Sequence, residues 1–491
     1  MQFNSIQFLI FFTVVVIAYF GIPHRFRWLL LVCASYFFYM WWKPIYIILI
    51  IISTIVDYYA GRLMGKTNDQ HKRKKYLILS ITVNLGLLFV FKYYNFFRSL
   101  INKELALVDV ACRMPYADIV LPIGISFYTF QTIAYSVDIY RGHIKHESHF
   151  GIYSLYVAYF PQLVAGPIER AGNLISQLKV KNHFDYRRVR SGLQLMLWGF
   201  FKKIVIADRL AIFVDQVYND PAEYIGISFM IATIFFAFQI YCDFSGYSDI
   251  AIGAAEVLGI KLMQNFRRPY FAGSVADFWR RWHISLSTWF RDYLYVPLGG
   301  SRVSQNRWQY NIMVTFILSG LWHGANWTFV VWGALHGMYM IFSHMTADIR
   351  RSIYDMTKMH RYPYIHKCIQ IFTTFSLVCF AWIFFRARSI SEALFIISRL
   401  FRGIPHLLSS IHQRDMLNEF VFLSQPLSEF VIALCCIVLL GVVHVLQTRR
   451  PMRQLVSQMP GVWRWCLYII AALLIMNLGI VKEIPFIYFQ F

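Results

Sequence analysis

The chain has 491 residues, 58% hydrophobic and only 15% charged, with a formal net charge of +22 at pH 7. So apolar a composition excludes an ordinary soluble globular protein, in which about a quarter of residues are charged, and the chain reads as an integral membrane protein. Its positive charge gathers in short loops between apolar runs, as cytoplasmic loops do, and no basic tail or nucleic-acid module accompanies it, so the expected partner is membrane lipid and not nucleic acid.

Four spans are legible at the start, near residues 8–22, 28–42, 45–60 and 76–97. No basic residue precedes the first, and no small-residue cleavage site follows it, so it reads as a retained span and not a signal peptide. The intervening loops carry His24-Arg25-Phe26-Arg27, then Lys43-Pro44, then Arg62, Lys66, Lys72, Arg73, Lys74 and Lys75. If basic loops are cytoplasmic, the N-terminus is extracytoplasmic. The basic stretches at 350–367 and 449–453 fit further cytoplasmic loops, and a last span near 465–481 returns the C-terminus to the extracytoplasmic side. At about 20 residues per span, roughly ten to twelve membrane helices are expected in an all-α polytopic fold.

Between residues 119 and 345 the apolar runs are broken by Pro122, Gly124, Pro161, Gly166, Pro167, Gly246, Pro269 and Pro297. Irregular backbone at membrane depth survives only where protein or a watery cavity satisfies it, so re-entrant segments around a central cavity are expected. This divides the chain into N-terminal helices (1–118), a catalytic core (119–345) and C-terminal helices with an aromatic tail (346–491). The eight cysteines are scattered, several within apolar runs (Cys379, Cys435, Cys436) and without ligand spacing. They read as small buried hydrophobes, with no disulfide framework and no metal site.

Three polar islands stand out in the core. Tyr241-Cys242-Asp243-Phe244-Ser245-Gly246-Tyr247-Ser248-Asp249 places carboxylates between apolar runs, where they line a cavity or lock helices together. Asp277-Phe278-Trp279-Arg280-Arg281-Trp282-His283 continues to Arg291 as an expected amphipathic helix, with Asp277 and Arg281 at i,i+4 spacing. Its arginines either snorkel at the interface or, with Trp279, face a phosphate-bearing donor. The third island, Leu318-Ser319-Gly320-Leu321-Trp322-His323-Gly324-Ala325-Asn326-Trp327, buries a histidine. The G-x-x-x-G spacings at Gly320/Gly324 and Gly333/Gly337 suit close helix packing, which explains the glycines but not His323. An unpaired polar group in hydrocarbon costs about 2–7 kcal/mol, so His323 is a candidate general base, able to take a proton near neutral pH. Asn326 is a candidate for orienting it or stabilising an oxyanion, and His336 reads as structural or as a support behind the residues that do the chemistry. No Walker A sequence, dinucleotide fingerprint, G-x-S-x-G or H-E-x-x-H motif occurs. The chemistry then rests on a bound donor and a few side chains.

Together, Leu121-Pro122-Ile123-Gly124-Ile125-Ser126-Phe127-Tyr128, Ala165-Gly166-Pro167, the Tyr241 island, residues 278–298 and Ser319 through Trp327 resemble the membrane-bound O-acyltransferases, and among them the branch of bacterial alginate O-acetyltransferase membrane subunits. The resemblance implies a ring of membrane helices around a funnel, with His323 as the essential histidine and His283 as the second polar position. It implies acyl transfer from a cytoplasmic thioester, acetyl-CoA as substrate with no permanently bound cofactor, to an exported cell-envelope polysaccharide in a bacterial inner membrane. An extracytoplasmic acetyltransferase would be the partner protein, since no extra soluble domain is visible. The C-terminal Phe486-Ile487-Tyr488-Phe489-Gln490-Phe491 resembles the tyrosine motif of polymer-acylating systems, in which Tyr488 would carry the acyl group. It also fits an interfacial aromatic anchor. A D-alanyl or longer-chain acyltransferase of the same fold, and from another class a polysaccharide or small-molecule transporter, remain as alternatives.

Overall fold

A computed structural model describes residues 1–109, 113–164, 166–402, 414–480 and 485–489. Ala165 of the Ala-Gly-Pro block and Glu483, Ile484, Gln490 and Phe491 of the tail lie outside the described residues. Among the described residues every regular element is helical. Six helical runs are long and apolar enough to cross a membrane: Pro44–Lys66, Gln70–Leu107, Gly226–Val257, Pro363–Arg386, Leu427–Leu446 and Gly461–Leu478. Beside them stand further helices of 16–19 residues, Ile6–Gly21, His24–Met40, Ile125–Tyr140, Gln305–His323 and Trp327–Met345. The chain is a multi-pass membrane protein, and each of the four early spans read from sequence corresponds to one of these helices.

The fold separates into two compact units. The first comprises residues 1–196, 247–264 and 291–293. Its helices Ile47–Lys66, Gln70–Leu88 and Ile125–Tyr140 are tied by a buried polar network in which Asn84 Nδ2 donates to both Asp57 carboxylate oxygens (2.9 and 2.8 Å) and Ser80 Oγ to one of them (2.5 Å). Thr132 Oγ1 completes it by donating to Asn84 Oδ1 at 3.0 Å. In an apolar interior such a network is stable because every member is satisfied. The break expected at Pro122 and Gly124 is present: Gly124 takes φ +79° just before Ile125–Tyr140, and a side chain there would meet the Leu163 carbonyl at 2.6 Å.

The second unit comprises residues 197–246, 265–290 and 294–491. Its helices Gln305–His323 and Trp327–Met345 form a tight pair. A Cβ at Gly320 would strike the Phe329 carbonyl, and one at Gly333 would strike the Phe316 carbonyl. The glycine spacing therefore does serve helix packing, and it fixes the end of the helix on which His323 is the last residue.

Candidate active site

The expected amphipathic helix over 277–291 is not formed. Instead a five-residue helix, Val275–Trp279, and a seven-residue helix, Ile284–Phe290, flank a break at which His283 takes the left-handed value φ +42°. The break is possible because a neighbouring stretch meets its backbone: Arg267 N–H donates to the Arg281 carbonyl and Ile284 N–H to the Asn265 carbonyl, both at 2.9 Å. Main-chain groups that would be orphaned by the interruption are satisfied. A left-handed non-glycine residue is costly and persists where its surroundings over-determine it. Here the result is to aim the His283 imidazole inward, fully buried.

Asn265 fixes that imidazole. Its Oδ1 lies 3.1 Å from His283 Nδ1, 3.4 Å from Ser285 N and 3.0 Å from Ser285 Oγ. The Ser285 N–H can only donate, which identifies the Asn265 atom as the acceptor and so places the imidazole proton on Nδ1. Nε2 is then the basic nitrogen. The segment 265–290 lies outside the six spans; burial pushes the His283 imidazole down to about 3, so it is neutral at physiological pH.

His323 lies among Trp322 (ring centroids 5.0 Å), Trp332 (5.0 Å), Phe385 (5.4 Å) and Tyr488 (5.5 Å). His283 meets Phe244 (4.7 Å), Trp322 (6.0 Å) and Tyr488 (6.5 Å). Tyr488 and Trp322 are thus shared neighbours of both histidines. The Tyr488 ring also packs on Phe244 at 4.6 Å and Phe486 at 5.5 Å, and its hydroxyl is buried. Burial, with the Asp243 charge adding to it, raises the phenol above its ordinary value.

The tail is held by a charged anchor. Ile487 N–H donates to Asp243 Oδ2 at 2.7 Å, while Asp243 Oδ1 lies 2.8 Å from Lys203 Nζ, which also meets Asp208 Oδ1 at 2.8 Å. All three side chains are buried. Next to it, Lys202 Nζ donates to Ser245 Oγ at 2.8 Å. Asp243 and Ser245 therefore engage buried lysines, and Asp243 in addition positions the residue next to Tyr488.

The other sequence candidates sit elsewhere. Asn326 accepts from Thr328 N (3.1 Å) as the N-cap of Trp327–Met345 and donates to the Arg388 carbonyl (3.0 Å). Its amide is committed to capping, not to the histidines. Trp279 donates through Nε1 to His336 Nδ1 at 3.2 Å and packs on Phe316 and Trp332, forming an aromatic wall with His336. Arg280 is exposed, and Arg281 pairs with Asp277 at 2.8 Å, the expected i,i+4 contact. Asn265, Lys203 and Asp208 escaped the sequence reading. Lys202-Lys203 carried a signal, two cations between Phe200-Phe201 and Ile204-Val205-Ile206, as conspicuous in an apolar run as His323. Asn265 carried none, because an asparagine beside an arginine pair reads as an ordinary loop.

In chemical terms, the cluster offers an imidazole beside a buried phenol, with a second neutral imidazole whose ring is held by Asn265. That is the composition of a nucleophile and base pair. A model of the "MBOAT, membrane-bound O-acyltransferase family" matches residues 34–385, which include His283 and His323 but not Tyr488. The chain is 37% identical over 420 residues to the "Probable alginate O-acetylase AlgI" of Pseudomonas aeruginosa, covering 85% of this chain and 78% of that protein. It is 36% identical over 397 residues to the "Peptidoglycan O-acetyltransferase" of Helicobacter pylori, covering 75% and 72%. With the "Teichoic acid D-alanyltransferase" of Bacillus subtilis it shares 26% over 280 residues, covering 54% and 69%. The chain belongs to the membrane-bound O-acyltransferase family and is a membrane O-acyltransferase.

Proposed function

We propose that this O-acyltransferase moves an acetyl group from cytoplasmic acetyl-CoA through the bacterial inner membrane for O-acetylation of an exported cell-envelope polysaccharide, with Tyr488 as the acyl carrier. The observation that carries this reading is the position of the Tyr488 ring, 5.5 Å from the His323 ring and 6.5 Å from that of His283. His323 takes the phenol proton as the Tyr488 oxygen attacks the thioester carbonyl. The C–S bond then breaks, and the departing thiolate recovers the proton from His323. His283, held by Asn265, presents Nε2 to the same aromatic enclosure. Asp243 and Lys203 hold the tail so that the carrier stays in place. The acetyl ester of a phenol transfers downhill to a sugar hydroxyl, because the phenol, with an ordinary pKa of about 10, is the better leaving group. An extracytoplasmic acetyltransferase completes the transfer, with both termini of this chain on that side. Names of relatives support an acetyl group and a polymer acceptor, since three that are 35–37% identical are named probable alginate O-acetylase or peptidoglycan O-acetyltransferase.

His323→Ala in the intact cell tests the reading. Polymer acetylation is expected to vanish while the protein still reaches the membrane and the polymer is still exported. Retained acetylation overturns the role of His323, and blocked export points to transport instead. Supplying the purified protein with acetyl-CoA, a longer acyl-CoA or a D-alanyl carrier protein separates the donor classes.

A further inference from the structure

A cavity of about 190 Å³ opens within the first unit, lined among others by Tyr19, His24, Arg25, Arg27, Trp28 and Lys179. By volume it has room for about six water molecules, or for one phosphate ester group. Its charge is one-sided. Lys179 is neutralised by Glu147, but neither arginine meets a carboxylate among the described residues. Arg27 is only 8% exposed. Its Nη1 donates to the Asn182 carbonyl at 2.5 Å, its Nε to the Ile22 carbonyl at 3.4 Å, and its guanidinium lies 4.6 Å from the Tyr19 ring centre. These partners orient the guanidinium and leave its charge uncompensated. A buried cation without a counter-charge is costly. The neighbouring His24 has a buried Nδ1 with no hydrogen-bond partner among the described residues, and Arg25 is exposed at the rim.

The location says which anion is at hand. The cavity lies at the junction where the helix Ile6–Gly21 ends and His24–Met40 begins, flanked by Tyr19 and Trp28, and aromatic residues mark the headgroup level of a membrane. We propose that this cavity binds the phosphate headgroup of an anionic phospholipid, with Arg27 and Arg25 as the anion ligands and His24 as a further donor. Guanidinium suits the task because its planar fork matches two phosphate oxygens at once. Basic pockets between membrane helices are a general means of holding such headgroups.

The test is native mass spectrometry and thermal protection of the full-length protein, purified in neutral detergent and titrated with phosphatidylglycerol, phosphatidylcholine, or soluble glycerol phosphate and coenzyme A. Phosphatidylglycerol is expected to bind and protect. Arg25→Gln and Arg27→Gln should each weaken it about tenfold or more, the loss of a charge-assisted contact. Arg25→Gln, at the exposed rim, guards against misfolding of the buried variant, and His24→Ala should weaken binding in the same sense. Equal phosphatidylglycerol binding by the wild type and the Arg25→Gln variant overturns the proposal. So does protection by glycerol phosphate or coenzyme A with none by the lipid, which would make the site one for a soluble phosphate ester.

Discussion

Replacing Lys203 by methionine tests the buried charged anchor under the tail. Methionine keeps the length and apolar bulk of the side chain and removes its charge. Lys203 Nζ lies 2.8 Å from a carboxylate oxygen of both Asp208 and Asp243, and neither carboxylate meets another cation among the described residues. Removing one partner of a buried ion pair costs about 3–5 kcal/mol. Here two carboxylates lose their cation together, but proton uptake by one of them limits the damage. The expected loss is therefore in the upper part of that range, about 4–5 kcal/mol, or roughly a thousandfold in the folding equilibrium. Denaturant titration in detergent micelles, read by tryptophan fluorescence, measures it. Lys203→Met combined with Asp208→Asn should recover part of the loss, since one uncompensated charge is gone. A loss below about 1 kcal/mol for Lys203→Met, the range of exposed pairs, would refute the reasoning and mean that water, not Lys203, solvates these carboxylates.

Asn265→Ala removes the acceptor shared by His283 and Ser285. Turnover per folded molecule should fall about a hundredfold, as misplacing a positioned group by an ångström does, with KM for the acyl donor nearly unchanged; a fall accounted for by a smaller folded fraction alone would point to a general loss of structure. Asn326→Ala should lower stability by about 1 kcal/mol through loss of the N-cap and leave the turnover of the folded fraction intact. A large fall in turnover would restore Asn326 to the chemistry. Gly320→Ala drives a methyl group into the Phe329 carbonyl and should cost about 1–3 kcal/mol by overpacking, measured by the same denaturant titration.

Much of this was legible in the chain because membrane burial makes polar residues conspicuous. His323 and Asp243 stood out as polar groups in apolar runs, and the structure places both in one cluster with the tail. The glycine pairs announced close helix packing, and Gly320 and Gly333 do provide it. Periodicity misled at residues 277–291, where a helical pattern of Trp and Arg gave no hint that the chain breaks at His283. That break depends on tertiary hydrogen bonds from Asn265 and Arg267, which sequence periodicity does not record. Asn326 misled for a related reason: an asparagine next to a candidate histidine is also the preferred residue at a helix start, and here the local role prevails. The sequence of the tail fits either a carrier or an interfacial anchor. Long-range contacts decide where its ring lies, since the Ile487 amide reaches Asp243, some 240 positions back along the chain.

The central claim is that Tyr488 accepts the acetyl group in the presence of His323. Intact-mass and peptide mapping of the purified wild-type protein after brief exposure to labelled acetyl-CoA tests it most directly. One labelled acetyl group on Tyr488 is expected, absent from Tyr488→Phe and strongly reduced in His323→Ala. Robust polymer acetylation by Tyr488→Phe, or a label that maps to another residue in the wild type, would contradict the account.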